Sequence, residues 1–182
     1  MLHSRLRLTF GASLELGLCM GEGAPPESQA LVVPQDVHLL LGEAAPLEDH
    51  GDSPERAARK AAAAEPRVPG TLVVRAGTPL LLQAVVYDFA RTPHARAADV
   101  YEALTSSLEE ARQRGLTRLA LQPVGTAHMG IDPRTFMRLL LLACSSAAEL
   151  GTSLERVRVV LPAPAELARY EVMLRGLVNG SG

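Results

Sequence analysis

The chain of 182 residues has no tryptophan, only two cysteines and a net charge of −2. Two cysteines are too few for a disulfide framework, so the fold must depend on a hydrophobic core. The near-zero net charge argues against a dedicated nucleic-acid or membrane-surface binder, because such proteins need clustered positive charge. No apolar run approaches the ~20 residues of a membrane span, and no secretory signal follows the first charged residues. We therefore expect a cytoplasmic protein.

Hydrophobic residues make up 47% of the chain, which is ample for a core. A chain of this length buries roughly 70% of its unfolded surface. No linker or internal repeat divides the sequence, so we expect a single domain over residues 1–178 and a disordered tail over 179–182. The five histidines show no metal-ligand spacing, and no hydrolase signature is present. We therefore expect no metal site and no cofactor.

The first third of the sequence predicts strands and an acidic loop. Polar and apolar residues alternate over 5–10 and 13–20, which predicts two strands joined as a hairpin. The apolar run 30–33 predicts a strand buried on both faces, ended by Pro34. Residues 42–53 contain four acids and predict a polar loop. Ser53-Pro54-Glu55 then begins a short surface helix that ends at Ala64.

The remainder alternates strands and helices. Strands are expected over 71–75, 80–89, 116–124 and 157–161, and helices over 98–114, 132–150 and from Pro164 through Leu177. Tyr87 and Phe89, at a strand end, are expected to pack in the core, and the alternative is that they line a pocket. The leucine run 139–142 is also expected in the core. Both cysteines are expected to be buried, small apolar residues. The alternation predicts an α/β fold with a partly parallel sheet.

The connection from Pro123 to Pro133 is the one loop with a chemical pattern. Gly125 and Gly130 permit backbone angles that other residues rarely adopt, so successive N–H groups can converge on a phosphate. The positive end of the following helix and the Thr126 hydroxyl favour the same ligand. The alternative is an ordinary strand–helix connection that needs two glycines for tight packing.

Residues 98–177 resemble the second half of a macro domain (macrodomain), a fold family known for binding ADP-ribose. The family's S-I-A-L-P strand and G-T-G-x-x-G-x-P loop match RLALQP at 118–123 and GTAHMGID at 125–132. The family's G-D-I-T and D-A-I-V-N segments fall more weakly on 21–24 and 29–33. The resemblance implies a three-layer α/β/α sandwich with a mixed central sheet.

The resemblance also implies a set of ligand-binding residues. Glu22 stands where the family has an acid that accepts a hydrogen bond from the adenine amino group. The 125–130 segment stands where the family holds the diphosphate and the distal ribose, and Thr126 would donate to a phosphate oxygen. The full expected set is Glu22, Gly23, Asp36, Gly125, Thr126, Ala127, His128, Met129 and Gly130.

Several departures from the family pattern bear on activity. Val33 and Asp36 replace the two asparagines that hold the distal ribose and orient water in hydrolytic members. Ala127 replaces a loop glycine, and the acidic 42–53 segment stands in place of a glycine-rich phosphate loop. We therefore expect a module that binds ADP-ribose or a related nucleotide diphosphate without catalysis. Two alternatives stay open: a domain without a nucleotide site that contacts a protein partner or a second copy, and an ADP-ribosyl hydrolase with Asp36 as base.

Overall fold

A computed structural model describes residues 3–41 and 65–179, together with three exposed helical residues between them, Glu55, Arg59 and Ala63. These three residues lie within the helix expected over 53–64. The rest of that helix, the acidic loop expected over 42–53 and the tail residues 180–182 lie outside the described residues.

Seven strands form one mixed sheet in the described part of the chain. They are β1 (His3–Phe10), β2 (Leu14–Met20), β3 (Ala30–Asp36), β4 (Leu72–Arg75), β5 (Leu80–Tyr87), β6 (Arg118–Leu121) and β7 (Arg156–Leu161). Their order across the sheet is β1-β2-β7-β6-β3-β5-β4. The five central strands run parallel, whereas the edge strands β1 and β4 are antiparallel to their neighbours. The expected mixed sheet and N-terminal hairpin are confirmed.

Strand β3 continues through Pro34 to Asp36, so the expectation that Pro34 ends the strand is wrong. The carbonyl of Val32 accepts a hydrogen bond from Gln122 N–H at 3.0 Å, and the pairing of β3 with β6 ends at Val32. Alternate residues of a parallel strand face the same neighbour, so Pro34 faces the β6 side beyond the last ladder bond. Its missing N–H therefore removes no bond from the sheet.

In the ranges 3–41 and 65–179, three helices cover one face of this sheet. They are α1 (Ala97–Gln113), α2 (Pro133–Glu149) and α3 (Pro164–Asn179). Their buried side chains share one core with alternate residues of five strands, including Leu16, Val32, Leu82, Leu119 and Val159. Helix α3 includes Asn179, the first residue of the expected tail. None of the helices in the described ranges is long and apolar enough to span a bilayer.

The leucine run on α2 does not lie wholly in the core, contrary to expectation. Leu140 is fully buried, but Leu142 is 59% exposed. Successive helical residues point 100° apart, so four consecutive leucines cannot all face the sheet. Cys19 and Cys144 are both buried, as expected.

The opposite face of the sheet is covered, in the described part, by loops. Ala24, in the connection from β2 to β3, packs against Cys19, Ala120 and Val160. Near the other edge, Val37 and Leu39 pack against Val85. These segments form the layer on this second face, as far as the structure describes it. The sheet lies between them and the layer of three helices.

One buried ion pair lies on this second face. Arg158 on β7 is 6% exposed, and its Nη2 is 2.5 Å from Glu15 Oε1 on β2. The guanidinium lies directly over Gly17, where an added Cβ would come within 2.8 Å of Nη1. Glu15 also contacts Arg7 at 3.3 Å. Burial alone raises the pKa of Glu15, but the hydrogen bond and charge of Arg158, aided by Arg7, lower it below its usual value.

Candidate functional site

The expected site residues lie along one edge of the sheet. The five parallel strands place their carboxyl ends at a common edge, where ligands of open α/β sheets bind. Glu22 and Gly23 follow β2, Asp36 ends β3, and residues 123–132, the 123–132 loop, connect β6 to α2. Strand β7 lies between β2 and β6. One strand therefore separates the strand that precedes Glu22 from the strand that precedes this loop.

The 123–132 loop is closed by its own hydrogen bonds. Gly130 N–H donates to the Ala127 carbonyl and Ile131 N–H to the Gly125 carbonyl, both at 2.9 Å. Ala127 N–H donates to the buried Tyr87 hydroxyl, also at 2.9 Å. The Gly125 and Gly130 backbones are so close that a Cβ on Gly130 would lie 2.0 Å from the Gly125 carbonyl oxygen. Glycine at 130 is therefore required for packing within the loop.

The tip of this loop is a turn with two strained residues. His128 and Met129 have φ angles of 51° and 56°, and the bond from Gly130 to Ala127 closes the turn around them. Positive φ at both central positions is typical of a type I′ turn, which normally contains Asn and Gly. Side chains with a Cβ are strained in this conformation.

Helix α2 begins with its first turn already capped. Asp132 accepts hydrogen bonds from the N–H groups of Arg134 and Thr135, each at 3.0 Å. Hydrogen bonds from the side chain and backbone of Thr135 hold the pKa of Asp132 below its usual value. A carboxylate therefore occupies the positive end of the helix dipole. Two of the first N–H groups of the helix are therefore occupied by Asp132.

Three N–H groups remain as anion donors. Within the described ranges, the backbone N–H groups of Thr126, His128 and Met129 have no hydrogen-bond partner. The Thr126 hydroxyl donates to the Pro123 carbonyl at 3.3 Å, which is a long bond. His128 and Met129 are exposed residues, whereas Thr126 is half-buried.

Asp36 and Gln35, at the end of β3, hold a tight turn. The two carboxylate oxygens of Asp36 accept hydrogen bonds from His38 N–H at 2.6 Å and Leu40 N–H at 2.9 Å. The Gln35 amide donates to the Leu41 carbonyl at 2.6 Å and accepts from its N–H at 3.0 Å. Asp36 is 3% exposed. Its carboxylate therefore supports the backbone of residues 37–41.

The β2–β3 connection presents its two expected residues differently. Glu22 is exposed and Gly23 is half-buried. The position at which a Cβ would be added to Gly23 has open space around it. Gly21, the preceding residue, binds the Leu161 carbonyl through its N–H at 2.9 Å. The connection therefore leaves the sheet beside the end of β7, with the Glu22 side chain in solvent.

Four rings form an aromatic cluster against the 123–132 loop: Tyr87, Phe89, His94 and His128. Tyr87 is fully buried, as expected, but Phe89 is 48% exposed, so its placement in the core is wrong. Strand β5 ends at Tyr87, and Phe89 therefore lies in the following turn. Both Phe89 and His94 follow the carboxyl end of a parallel strand. That position was the signal behind the alternative that Phe89 lines a pocket, whereas His94 was not in the expected set.

The Tyr87 hydroxyl links β5 to the 123–132 loop. Burial raises the pKa of Tyr87 to about 12, so the phenol is neutral at physiological pH. We expect Tyr87→Phe to lower the free energy of unfolding by roughly 0.5–1.5 kcal/mol, because Ala127 N–H loses its acceptor. Thermal or urea unfolding measures this. Tyr101→Phe is the matched control, and equal stability losses in the two variants would contradict a structural role for the Tyr87 bond.

A cavity lies away from the expected site residues. A space of about 340 Å³ opens between the second halves of α1 and α2, lined by Thr105, Ser106, Leu108, Glu109, Arg112, Ala143, Ser146, Ala147, Leu150 and Thr152. None of these residues is in the expected site. Among residues 3–41 and 65–179, no three His, Cys, Asp or Glu side chains are grouped so that they could hold a metal ion.

Solved structures resemble this fold, although the comparisons of sequence find no match. No protein-family model matches the chain, and no curated protein sequence matches it. A macrodomain of Oceanobacillus iheyensis with ADP superposes with a TM-score of 0.75 at 15% identity, covering 99% of this chain and 100% of the other. A Trypanosoma brucei macrodomain in complex with ADP-ribose gives 0.62 at 18% identity, covering 87% and 68%.

These matches span nearly the whole of the chain, and they agree with the observed mixed sheet and its α/β architecture. At identities below a fifth, the similarity resides in backbone architecture. This divergent chain has the macrodomain fold.

Proposed function

We propose that this chain binds ADP-ribose or a related nucleotide diphosphate and does not hydrolyse it. Support comes from the shared fold, since the Oceanobacillus iheyensis and Trypanosoma brucei macrodomains were solved with ADP and ADP-ribose. It also comes from the position of the 123–132 loop at the carboxyl ends of parallel strands, where ligands of such sheets bind.

The observation that carries the proposal is the set of unpartnered N–H groups at the loop tip. Within the described residues, Thr126, His128 and Met129 each have a backbone N–H without a partner. Convergent backbone N–H groups bind phosphate without a cationic side chain. Gly125 and Gly130 give the loop the close backbone contact that presents these groups, and Ala127 keeps the loop fixed to Tyr87.

The affinity should be moderate because the phosphate donors are few. Asp132 takes the first N–H groups of α2, and its negative charge opposes an anion nearby. Two charges 4 Å apart interact by about 4 kcal/mol near a protein surface, but by much less beyond ~8 Å. In this proposal Glu22, exposed after β2, accepts a hydrogen bond from the adenine amino group, with Gly23 leaving room beside it.

We propose the absence of catalysis from the hydrogen bonds and the burial of Asp36. A general base must be within hydrogen-bond reach of the water that it activates. Both Asp36 oxygens already accept backbone N–H groups, and the residue is almost fully buried. The only asparagine of the chain, Asn179, lies at the end of α3, so no asparagine amide is available at Val33 or Asp36 to hold a ribose.

Calorimetric titration with ADP-ribose, ADP and AMP tests binding. We expect micromolar affinity for ADP-ribose, about −8 kcal/mol, and weaker binding of AMP because it lacks the second phosphate. Glu22→Ala should weaken all three ligands, whereas Glu27→Ala, a nearby exposed control, should not. No heat and no thermal shift at millimolar ligand would contradict the proposal and favour a domain that contacts a protein partner or a second copy.

A parallel assay addresses hydrolysis. We expect no release of ADP-ribose from a modified protein substrate over many hours. Release by the native chain that Asp36→Asn abolishes would contradict the non-catalytic part of the proposal and make Asp36 a catalytic base.

A further inference from the structure

Three hydrogen-bond donors form a row across the second face of the sheet, at the amino ends of its parallel strands. Gln29 precedes β3, Arg118 begins β6 and Arg156 begins β7. Gln29 N–H donates to the Arg118 carbonyl at 3.0 Å, and Arg118 is paired in register with Arg156. The residue that follows each of them belongs to the core under the helices. Since side chains alternate along a strand, the three lie together on the opposite face.

The side-chain amide of Gln29 is held in one orientation. Its Oε1 accepts hydrogen bonds from Thr117 N–H at 2.7 Å, from the Thr117 hydroxyl at 3.1 Å and from Arg118 N–H at 3.0 Å. Two backbone donors on this atom identify it as the amide oxygen. The NH2 group of Gln29, an exposed residue, has no partner within the described residues. Two N–H donors are therefore fixed in direction and unused.

The two guanidinium groups are also unused. Arg118 Nε donates to the Glu27 carbonyl at 2.7 Å, which fixes the direction of that side chain. Its two NH2 groups have no partner among residues 3–41 and 65–179, and the same holds for the whole Arg156 side chain. Both arginines are half-buried. Their contact with the sheet restricts the positions that they adopt, which lowers the entropy lost on binding.

The charge of this arginine pair is not neutralised in the described part of the chain. Like charges directly opposite each other on neighbouring strands are destabilising. Glu15 lies beside Arg156 in register, but its carboxylate binds Arg158 and Arg7. No carboxylate in the described ranges forms an ion pair with Arg118 or Arg156. Paired arginine forks without a carboxylate partner are suited to binding an anion.

We propose that Gln29, Arg118 and Arg156 bind a phosphate monoester, at the edge of the sheet opposite to the 123–132 loop. Neighbouring strands are ~4.8 Å apart, so the row extends about 10 Å and its long side chains converge on one tetrahedral group. A phosphate dianion neutralises both guanidinium groups, whereas a monocarboxylate neutralises one. A free phosphorylated metabolite and a phosphorylated side chain of a partner present the same group. This inference does not depend on the proposed function.

NMR of the side-chain NH2 signals tests binding at this row, with the Gln29 signal assigned from Gln29→Ala. We expect a saturable shift of that signal with inorganic phosphate and with a phosphoserine peptide, and a much smaller one with acetate. Tighter binding of the peptide would identify a phosphorylated partner as the source, and tighter binding of inorganic phosphate a free ligand. An unmoved Gln29 signal at millimolar phosphate, or equal affinity for acetate, would overturn the proposal.

Substitution of Arg156 separates binding from a structural role. Arg156→Gln should weaken phosphoserine binding roughly 10-fold, while the Tm without ligand stays equal or rises because the repulsion from Arg118 is lost. Arg138→Gln, which removes an exposed charge from α2, is the control. Equal weakening in both variants would attribute the effect to net charge and refute the site. A lower Tm with unchanged affinity would make Arg156 structural and also refute it.

A competition experiment separates this inference from the proposed function. Saturating ADP-ribose should leave the phosphoserine affinity unchanged, because the two sites lie at opposite edges of the sheet. Displacement of phosphoserine by ADP-ribose would contradict a separate site. If ADP-ribose does not bind at all while the Gln29 signal still responds to phosphoserine, the proposed function fails and the phosphate site stands.

Discussion

Glu15→Ala is expected to lower the free energy of unfolding by about 3 kcal/mol, because it leaves a buried guanidinium without its partner. Arg158 has a side chain only 8% exposed, and the Glu15 carboxylate is 2.5 Å from it. The expected loss is at the lower end for a buried pair since Glu15 itself is 25% exposed. Urea unfolding of the purified chain measures the change.

The control for this prediction is an ion pair in solvent. Glu109 binds Arg112 on α1, with both side chains more than 40% exposed, so Glu109→Ala should change stability far less. A second variant, Glu15→Gln with Arg158→Met, removes both charges and should recover much of the loss. If the double substitution were as unstable as Glu15→Ala, an unpaired charge would not be the cause.

The same ion pair predicts a pH dependence. The pKa of Glu15 in the fold is below its usual value of 4.5, so its ionised form stabilises the native state. That contribution is fully present above pH ~4.5 and is lost as pH falls through the lower native pKa. The stability difference between the native chain and Glu15→Gln should therefore shrink in acid, as thermal melts from pH 7 to pH 3 will measure. A constant difference over this range would contradict the depressed pKa.

Gly130→Ala is expected to disrupt the 123–132 loop while leaving the sheet intact. The new Cβ would lie 2.0 Å from the Gly125 carbonyl oxygen and 2.9 Å from that of Ala127, and neither is a flexible side-chain end. Relief of this contact requires breaking the bonds that Gly130 and Ile131 donate. We expect a loss of about 2 kcal/mol, or roughly 5 °C in Tm at this chain length, with nucleotide binding abolished.

Gly23→Ala is the matched stability control, since an added Cβ there meets nothing within 4 Å. Its Tm should equal that of the native chain. A native-like Tm for Gly130→Ala would show that the two glycine backbones are not in close contact. The substitution also bears on how binding data are interpreted, because a larger residue at 130 alters the fold of the loop before it blocks any ligand.

Most of the secondary structure could be predicted because local signals and tertiary packing agree. The alternation around Leu14 and Leu16 matches a strand with one face in the core, and Asp132-Pro133 begins α2 where a cap and a proline predict a helix start. The prediction that Pro34 ends β3 was wrong because the effect of a proline depends on which neighbouring strand its nitrogen faces. That is a property of the assembled sheet. Sequence alone carries no record of strand order.

The candidate loop could be identified from the sequence, but its hydrogen bonding could not be described. The glycines at 125 and 130 marked the loop, and the fold places it at the expected edge. The N–H donors could not be counted, because Tyr87 takes Ala127 N–H over 40 residues of sequence, and Asp132 takes those of α2. Phe89 was assigned to the core by residue type, although the end of β5 two residues earlier puts it in solvent.

The position of β3 has a consequence for how the chain can be divided. Strand β3 lies between β6 and β5, and is hydrogen-bonded to both. A cut between residues 41 and 65 would place β3 in one fragment and both of its neighbours in the other. Neither fragment could complete a continuous parallel sheet, and each would expose the strand edges that the other covers. The two pieces are thus complementary halves, suited to a split reporter whose signal depends on reassembly.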